Sequence, residues 1–197
     1  DYGRCLAHWN GRTPSGPAVE LFSGLSKQRL AFVSGPLSFG DSVTLRSVGR
    51  LDADQVPDFA IAWRRIGSQS AVQVHSGRSR SQLFRIPAPT GVGEFGAALV
   101  GGQDWNRDGR PDVVIGTPVG AANSVGFVLV VSEVDGAVLA RLVGDAVDDR
   151  FGAAVTFVQD VDGDGFPDLA VGAPGDDNAG LDSGSVRLFA GGTGRVL

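Results

Sequence analysis

Apolar and polar positions alternate along this chain with a period of two, in short runs bounded by turn residues. Val19 and Leu21 flank Glu20, and beyond Ser23-Gly24 lies a second run, Leu30-Ala31-Phe32-Val33. The pairing returns as Val72-Gln73-Val74 with Leu83-Phe84-Arg85-Ile86, then as Phe127-Val128-Leu129-Val130 with Val138-Leu139-Ala140-Arg141-Leu142. A final copy is Val186-Arg187-Leu188-Phe189 with Arg195-Val196-Leu197. Period-two runs joined by Gly-containing connections predict β-hairpins. An amphipathic helix is hard to find anywhere, so the pattern points to an all-β fold.

A second pattern sits between the hairpins. Phe-Gly occurs at 39–40, 95–96 and 151–152, a step of 56 residues each time. Each Phe-Gly precedes an acidic nonapeptide, and each nonapeptide precedes an apolar run: Phe59-Ala60-Ile61-Ala62, Val113-Val114-Ile115-Gly116 and Leu169-Ala170-Val171-Gly172. A fixed period near 50 residues marks a repeat architecture. One unit reads Phe-Gly, strand, acidic loop, strand, turn, hairpin, which makes four antiparallel strands. Units span about 37–91, 92–146 and 147–197, the last cut short, after a half unit at 17–36. Residues 1–16 show no usable period and read as a linker or the tail of an earlier element. Four-stranded units of this period stack radially as propeller blades, with the Phe of each Phe-Gly as core between neighbours.

The acidic loop carries the chemistry. In Asp160-Val161-Asp162-Gly163-Asp164-Gly165-Phe166-Pro167-Asp168, carboxylates stand at positions 1, 3, 5 and 9 and a glycine at position 6. Calcium takes about 6–8 oxygen ligands, and glycine at position 6 allows the sharp turn that points them inward. Charges this close repel by about 1 kcal/mol per pair at about 4 Å even in water, so the loop makes most sense around a cation. Asp104-Trp105-Asn106-Arg107-Asp108-Gly109-Arg110-Pro111-Asp112 repeats the spacing with Asn at position 3. A worn copy ends at Asp58. There Arg50 replaces the first ligand and Gln55 the turn glycine, so no third ion is expected, and an Arg50–Asp ion pair could stand in for one.

Composition narrows the setting. Among 197 residues, 30 are glycine, and there is no Met, so Asp1 is not an initiator and the chain is expected to be processed or excerpted. A single Cys5 excludes an internal disulfide framework without fixing the compartment. No apolar run is long enough to span a membrane. A net charge of −5, with acid gathered in loops, argues against nucleic acid, which requires a basic stripe.

Phe-Gly, then the D-x-[DN]-x-D-G-x-x-D loop, then Val171-Gly172-Ala173-Pro174 or Ile115-Gly116-Thr117-Pro118, resembles the FG-GAP repeat of integrin α subunits and related bacterial surface proteins. The resemblance covers 37–197 well and 17–36 as a trailing half repeat. It implies a segment of a seven-bladed β-propeller, about three and a half blades here, with Ca2+ held between the first two strands of a blade. The first copy departs from it, with Ile61-Ala62-Trp63-Arg64 in place of the Gly-Ala-Pro run. Expected ligands are Asp160, Asp162, Asp164, Asp168 and the carbonyl of Phe166 in the third loop. In the second they are Asp104, Asn106, Asp108, Asp112 and the carbonyl of Arg110, with weaker binding because Arg107 and Arg110 reduce the local negative charge.

Competing chemistries fit less well. An EF-hand needs Glu at position 12 and a following helix, whereas Ile115 and Val171 stand there within strands. Gly91-Val92-Gly93-Glu94-Phe95-Gly96 follows Pro87 and Pro89 and precedes no helix, which disqualifies it as a dinucleotide fingerprint. Phe39-Gly40-Asp41-Ser42 resembles a GDS-type esterase block, but His8 and His75 are the only candidate bases and neither carries the required Asp three residues earlier. Asp148-Asp149 and Asp176-Asp177 read as solvated acidic pairs in blade-connecting loops. The expectation is a non-enzymatic, calcium-binding propeller module of an extracellular or cell-surface protein. It would bind a protein or glycan ligand and be flanked by further blades. The alternative is an accessory propeller on a secreted hydrolase or lyase.

Overall fold

A computed structural model describes residues 5–10, 18–23, 26–34, 42–52, 54–64, 70–92, 94–120, 124–181 and 183–197. Among them are strands and turns and no helix. The strands form four antiparallel meanders. The first holds β1 (Cys5–Asn10), β2 (Ala18–Ser23) and β3 (Arg29–Ser34). The second holds β4 (Ser42–Gly49), β5 (Asp58–Arg64), β6 (Ala71–His75) and β7 (Gln82–Pro87). The third holds β8 (Ala98–Gln103), β9 (Asp112–Thr117), β10 (Phe127–Val131) and β11 (Val138–Val143), and the fourth β12 (Ala154–Val158), β13 (Asp168–Ala173) and β14 (Ser185–Phe189).

Two details differ from the periodicity. Residues 5–10, expected as a linker or the tail of an earlier element, form a strand: β1 pairs with β2 from Cys5↔Ser23 to Asn10↔Ala18, beside the expected hairpin. Its own pattern is weak, and what defines it is the edge that β2 offers. At the other end, residues 195–197 form a single bridge, Phe189↔Val196, instead of a fourth strand.

The sheets are propeller blades. First strands lie side by side, β4 against β8 and β8 against β12, as the innermost strands of a radial stack must. Middle strands are buried on both faces, so successive residues serve opposite neighbours. Val113 and Ile115 of β9 join Ala60, Ala62, Val72 and Val74 in one core, while Val114 joins Leu169 and Val171 in the next. On the other side of β5, Phe59, Ile61 and Trp63 pack with Val19 and Leu21 of β2. Phe95 and Phe151 are fully buried, one in each of these inter-blade cores, as the repeat predicts. Phe39-Gly40 lies outside the described residues.

The glycine of the motif is needed for two reasons. Gly152 has φ +91°, a region L side chains rarely adopt, and a Cβ there would sit 2.9 Å from the Phe127 carbonyl. Its N–H donates to Gly172 O at 3.0 Å, and Gly96 N–H donates likewise to Gly116 O at 3.1 Å. In these two blades the motif therefore docks the entry of the blade onto that blade's own second strand.

Candidate metal centres

Each acidic loop joins the first two strands of its blade and is shaped by its own carboxylates. The last aspartate leads the second strand, where burial fixes it, and accepts the N–H of loop position 2. The three bonds are Leu51 N to Asp58 Oδ2 at 2.6 Å, Trp105 N to Asp112 Oδ2 at 2.9 Å and Val161 N to Asp168 Oδ2 at 2.7 Å. The fifth residue accepts the N–H of the seventh: Val56 to Asp54 at 2.8 Å, Arg110 to Asp108 at 3.0 Å and Phe166 to Asp164 at 2.9 Å. The first residue holds the sharp turn where it is acidic. Gly109 N donates to Asp104 Oδ2 at 2.8 Å, and Gly165 N to Asp160 Oδ2 at 2.7 Å. Arg50 cannot accept such a bond, which is the physical content of calling the first loop worn.

The third loop brings carboxylate oxygens of Asp160, Asp162 and Asp168 within 4.8 Å of one another. Asp164 stands outside that group and is engaged with Phe166 N. Arg195 donates to Asp162 Oδ2 at 3.0 Å, a cation the loop sequence does not announce. In the second loop Asp104, Asp108 and Asp112 are not gathered so tightly among the described residues. There Asn106 accepts Asp108 N at 3.1 Å and donates its amide to Asp108 Oδ2 at 3.0 Å.

The second loop carries the sharpest electrostatic signal. Asp112 is fully buried, and its Oδ1 has no hydrogen-bond partner. Burial, reinforced by the charges of Asp108 and Asp104, pushes its carboxyl up to about 7. The corresponding Oδ1 atoms of Asp58 and Asp168 are satisfied by Gly77 N at 2.8 Å and Gly191 N at 2.9 Å. In this blade Glu133 occupies the equivalent turn position. Its buried side chain pairs with Arg110 at 3.2 Å, leaving Oε2 without a partner, and burial raises its pKa. A buried carboxylate with one unpartnered oxygen, raised further by the charges of Asp104 and Asp108, is a donor set that suits a divalent cation. The residues present fit Ca2+ in the second and third loops.

The first loop is closer to a site than its sequence suggests. Asp52, Asp54 and Asp58 also converge within 4.8 Å. The positive partner is not Arg50 but Arg78, whose Nε lies 3.7 Å from Asp54 Oδ2 and whose NH2 donates to Asp54 O at 2.9 Å. Burial works to raise Asp54, but bonds from Val56, Asp52 and Ser76 together with Arg78 pull it below its usual value.

At the opposite end of the blades, Asp145, Asp149 and Asp176 converge. Asp149 and Asp176 are buried, not solvated as pairs; Arg187 bridges Asp145 and Asp176, the latter at 3.3 Å, and Ser185 donates to Asp176 at 2.5 Å. Asp148 and Asp177 stay exposed. Ser42 opens β4 while His75 closes β6 at the far end of the same sheet, so the two are not brought together. The stretch after Glu94 is a turn leading into β8, with no helix to accept a phosphate.

Residues 151–196 match the family model described as FG-GAP repeat. The last blade is thus an FG-GAP repeat. The chain is similar to integrin alpha-V of Gallus gallus, 29% identical over 196 residues, a match taking in 88% of this chain and 19% of the relative. It is also similar to integrin alpha-PS2 of Drosophila melanogaster, 31% identical over 156 residues (73% of this chain, 11% of the relative). Integrin alpha-5 of Xenopus laevis is 30% identical over 169 residues, or 80% of this chain and 16% of the relative. The chain thus spans less than a fifth of the length of these relatives. The four-stranded sheets are FG-GAP propeller blades of the integrin α type.

Proposed function

We propose that this chain is a calcium-stabilised β-propeller module serving adhesion or ligand binding on an extracellular or cell-surface protein. The observation that carries the calcium reading is the fully buried carboxyl of Asp112, with one oxygen unpartnered and its protonated form favoured by burial and by the charges of Asp108 and Asp104. The converging oxygens of Asp160, Asp162 and Asp168 support it in the neighbouring blade. Asp104, Asn106, Asp108, Asp112 and the Arg110 carbonyl would hold one ion. Asp160, Asp162, Asp164, Asp168 and the Phe166 carbonyl would hold the other. Calcium would neutralise carboxylates that the fold has already turned inward.

The similarity to integrin α chains supports the adhesive role, with a protein or glycan as ligand and the blades as part of a seven-bladed ring. Loops displayed at the blade ends would make the contacts, since function resides in such loops more than in the fold. No helix among the described residues is long and apolar enough to cross a membrane. At an affinity of about 10⁻⁴ M, typical of extracellular modules, about 2 mM calcium stabilises by about 1.8 kcal/mol per site. Thermal melts in calcium and in chelator should therefore differ by several degrees. Superimposable melts would refute the reading.

A further inference from the structure

The second and third loops touch each other. Arg107, at position 4 of the second loop with φ +58°, lays its guanidinium 5.0 Å from the centre of the Phe166 ring. Its nitrogens also cover Gly165, where an added Cβ would meet them at 2.9 Å. Gly165 and Phe166 are positions 6 and 7 of the third loop, the sharp turn and the proposed carbonyl ligand. The same ring lies against Gly192, where a Cβ would come within 3.2 Å of it.

A second connection runs through the backbone. Trp105 N donates to Asp112 Oδ2 at 2.9 Å, and Trp105 O accepts Gly192 N at 2.9 Å. The adjacent Gly191 N donates to Asp168 Oδ1 at 2.9 Å. Two residues, Trp105 and Gly191, and three hydrogen bonds thus join the ninth-position aspartates of two blades. The corresponding link toward the first loop is broken, because Glu133 stands where Gly77 and Gly191 stand and Asp112 Oδ1 is left bare.

We propose that the second and third loops are one coupled divalent-cation unit, in which an ion in either loop strengthens binding in the other. The inference rests on the calcium reading above. An ion in the third loop draws in Asp168 and the Phe166 carbonyl, and so fixes the ring on which Arg107 lies and the turn that holds Trp105. The second ion then meets a loop whose ordering cost has been met in part, which is positive cooperativity without a large structural change. Arg107 also places a positive charge between two sites whose ions repel. Arg107 and Phe166 act here as positioning residues.

Calorimetric titration with CaCl2 at fixed ionic strength tests this. Asp164→Ala and Asp108→Ala leave one loop each and report the two single-loop association constants. The product of the two wild-type stepwise constants, divided by the product of those two, is the coupling factor. It is expected at about fivefold or more, the lower range for linked sites. Repeating the set with Arg107→Ala should bring the factor close to one, while each single-loop constant stays level or rises because a positive charge is gone. Phe166→Leu, which changes no charge, should also lower the factor, and circular dichroism confirms that each variant is folded. Two wild-type binding events with a factor of one, or a factor unmoved by both Arg107→Ala and Phe166→Leu, would overturn the coupling alone. A wild type that takes up no calcium would overturn both the coupling and the calcium reading.

Discussion

His75 stacks on Phe59 with ring centroids 5.3 Å apart and planes 6° from parallel. The imidazole closes β6 beneath the first acidic loop, with Nε2 buried and unpartnered. Burial holds its pKa below the ordinary 6.5, so the folded protein keeps it neutral. Above pH 6.5 neither folded nor unfolded chain protonates it, and it has no effect on stability. As pH falls below 6.5 the unfolded chain gains the proton first, and stability drops until the folded pKa is reached. His75→Phe should flatten that part of the curve. The difference between the two proteins' melting temperatures, followed from pH 7.5 to 5, measures it, and parallel curves would show that His75 titrates freely.

Asp112→Asn should act in opposite directions on the two states of the second loop. Without calcium it removes a buried charge whose carboxyl is pushed up to about 7, and with it the repulsion from Asp108 and Asp104. The metal-free protein is expected to gain a few kcal/mol at pH 7, with about 4 kcal/mol as the ceiling for a carboxyl raised from 3.8 to about 7 at about 1.4 kcal/mol per pKa unit. The calcium-induced rise in melting temperature should shrink at the same time. A variant less stable than wild type in chelator would contradict this account.

Gln55 holds φ +65° at the loop position where Gly109 and Gly165 hold +92° and +90°. The left-handed region costs a side-chain-bearing residue about 1 kcal/mol or more. Gln55→Gly should recover part of that, on the order of 0.5–1 kcal/mol after the added freedom of the unfolded chain. For a domain of this size the gain is about 1–4 °C in melting temperature. No gain would mean that the loop holds Gln55 without strain.

Phe151→Ala should destabilise by about 3–5 kcal/mol, the usual cost of emptying a buried aromatic site. Phe151 is fully buried in the core shared by the last two blades and stands edge-on to Phe189 at 5.8 Å. Phe95→Ala, the same change one blade earlier, should cost a similar amount. Denaturant titration gives both values, and a cost below about 1 kcal/mol in either would show that neighbouring blades do not depend on this contact.

The sequence by itself determined the repeat, the hairpins, the all-β class and the acidic loops, because these depend on local rules. Period-two alternation writes a half-buried or two-sided strand directly into residue order. Loop ligands lie within nine residues, so spacing alone reveals them. Phe95 and Phe151 were legible as core because the same residue recurs at one step. The tertiary structure decided everything that depends on a neighbour from elsewhere in the chain. β1 exists because β2 offers it an edge. Asp54 is balanced by Arg78, 24 residues away, and not by Arg50 of its own loop. Asp176 is buried where Arg187 reaches it from β14, beside Asp149 from the connection between blades. The asymmetry among the loops was likewise invisible in the loops themselves. It arises where Gly77, Glu133 and Gly191 occupy the facing turn: glycine leaves its N–H for the ninth aspartate, and Glu133 does not.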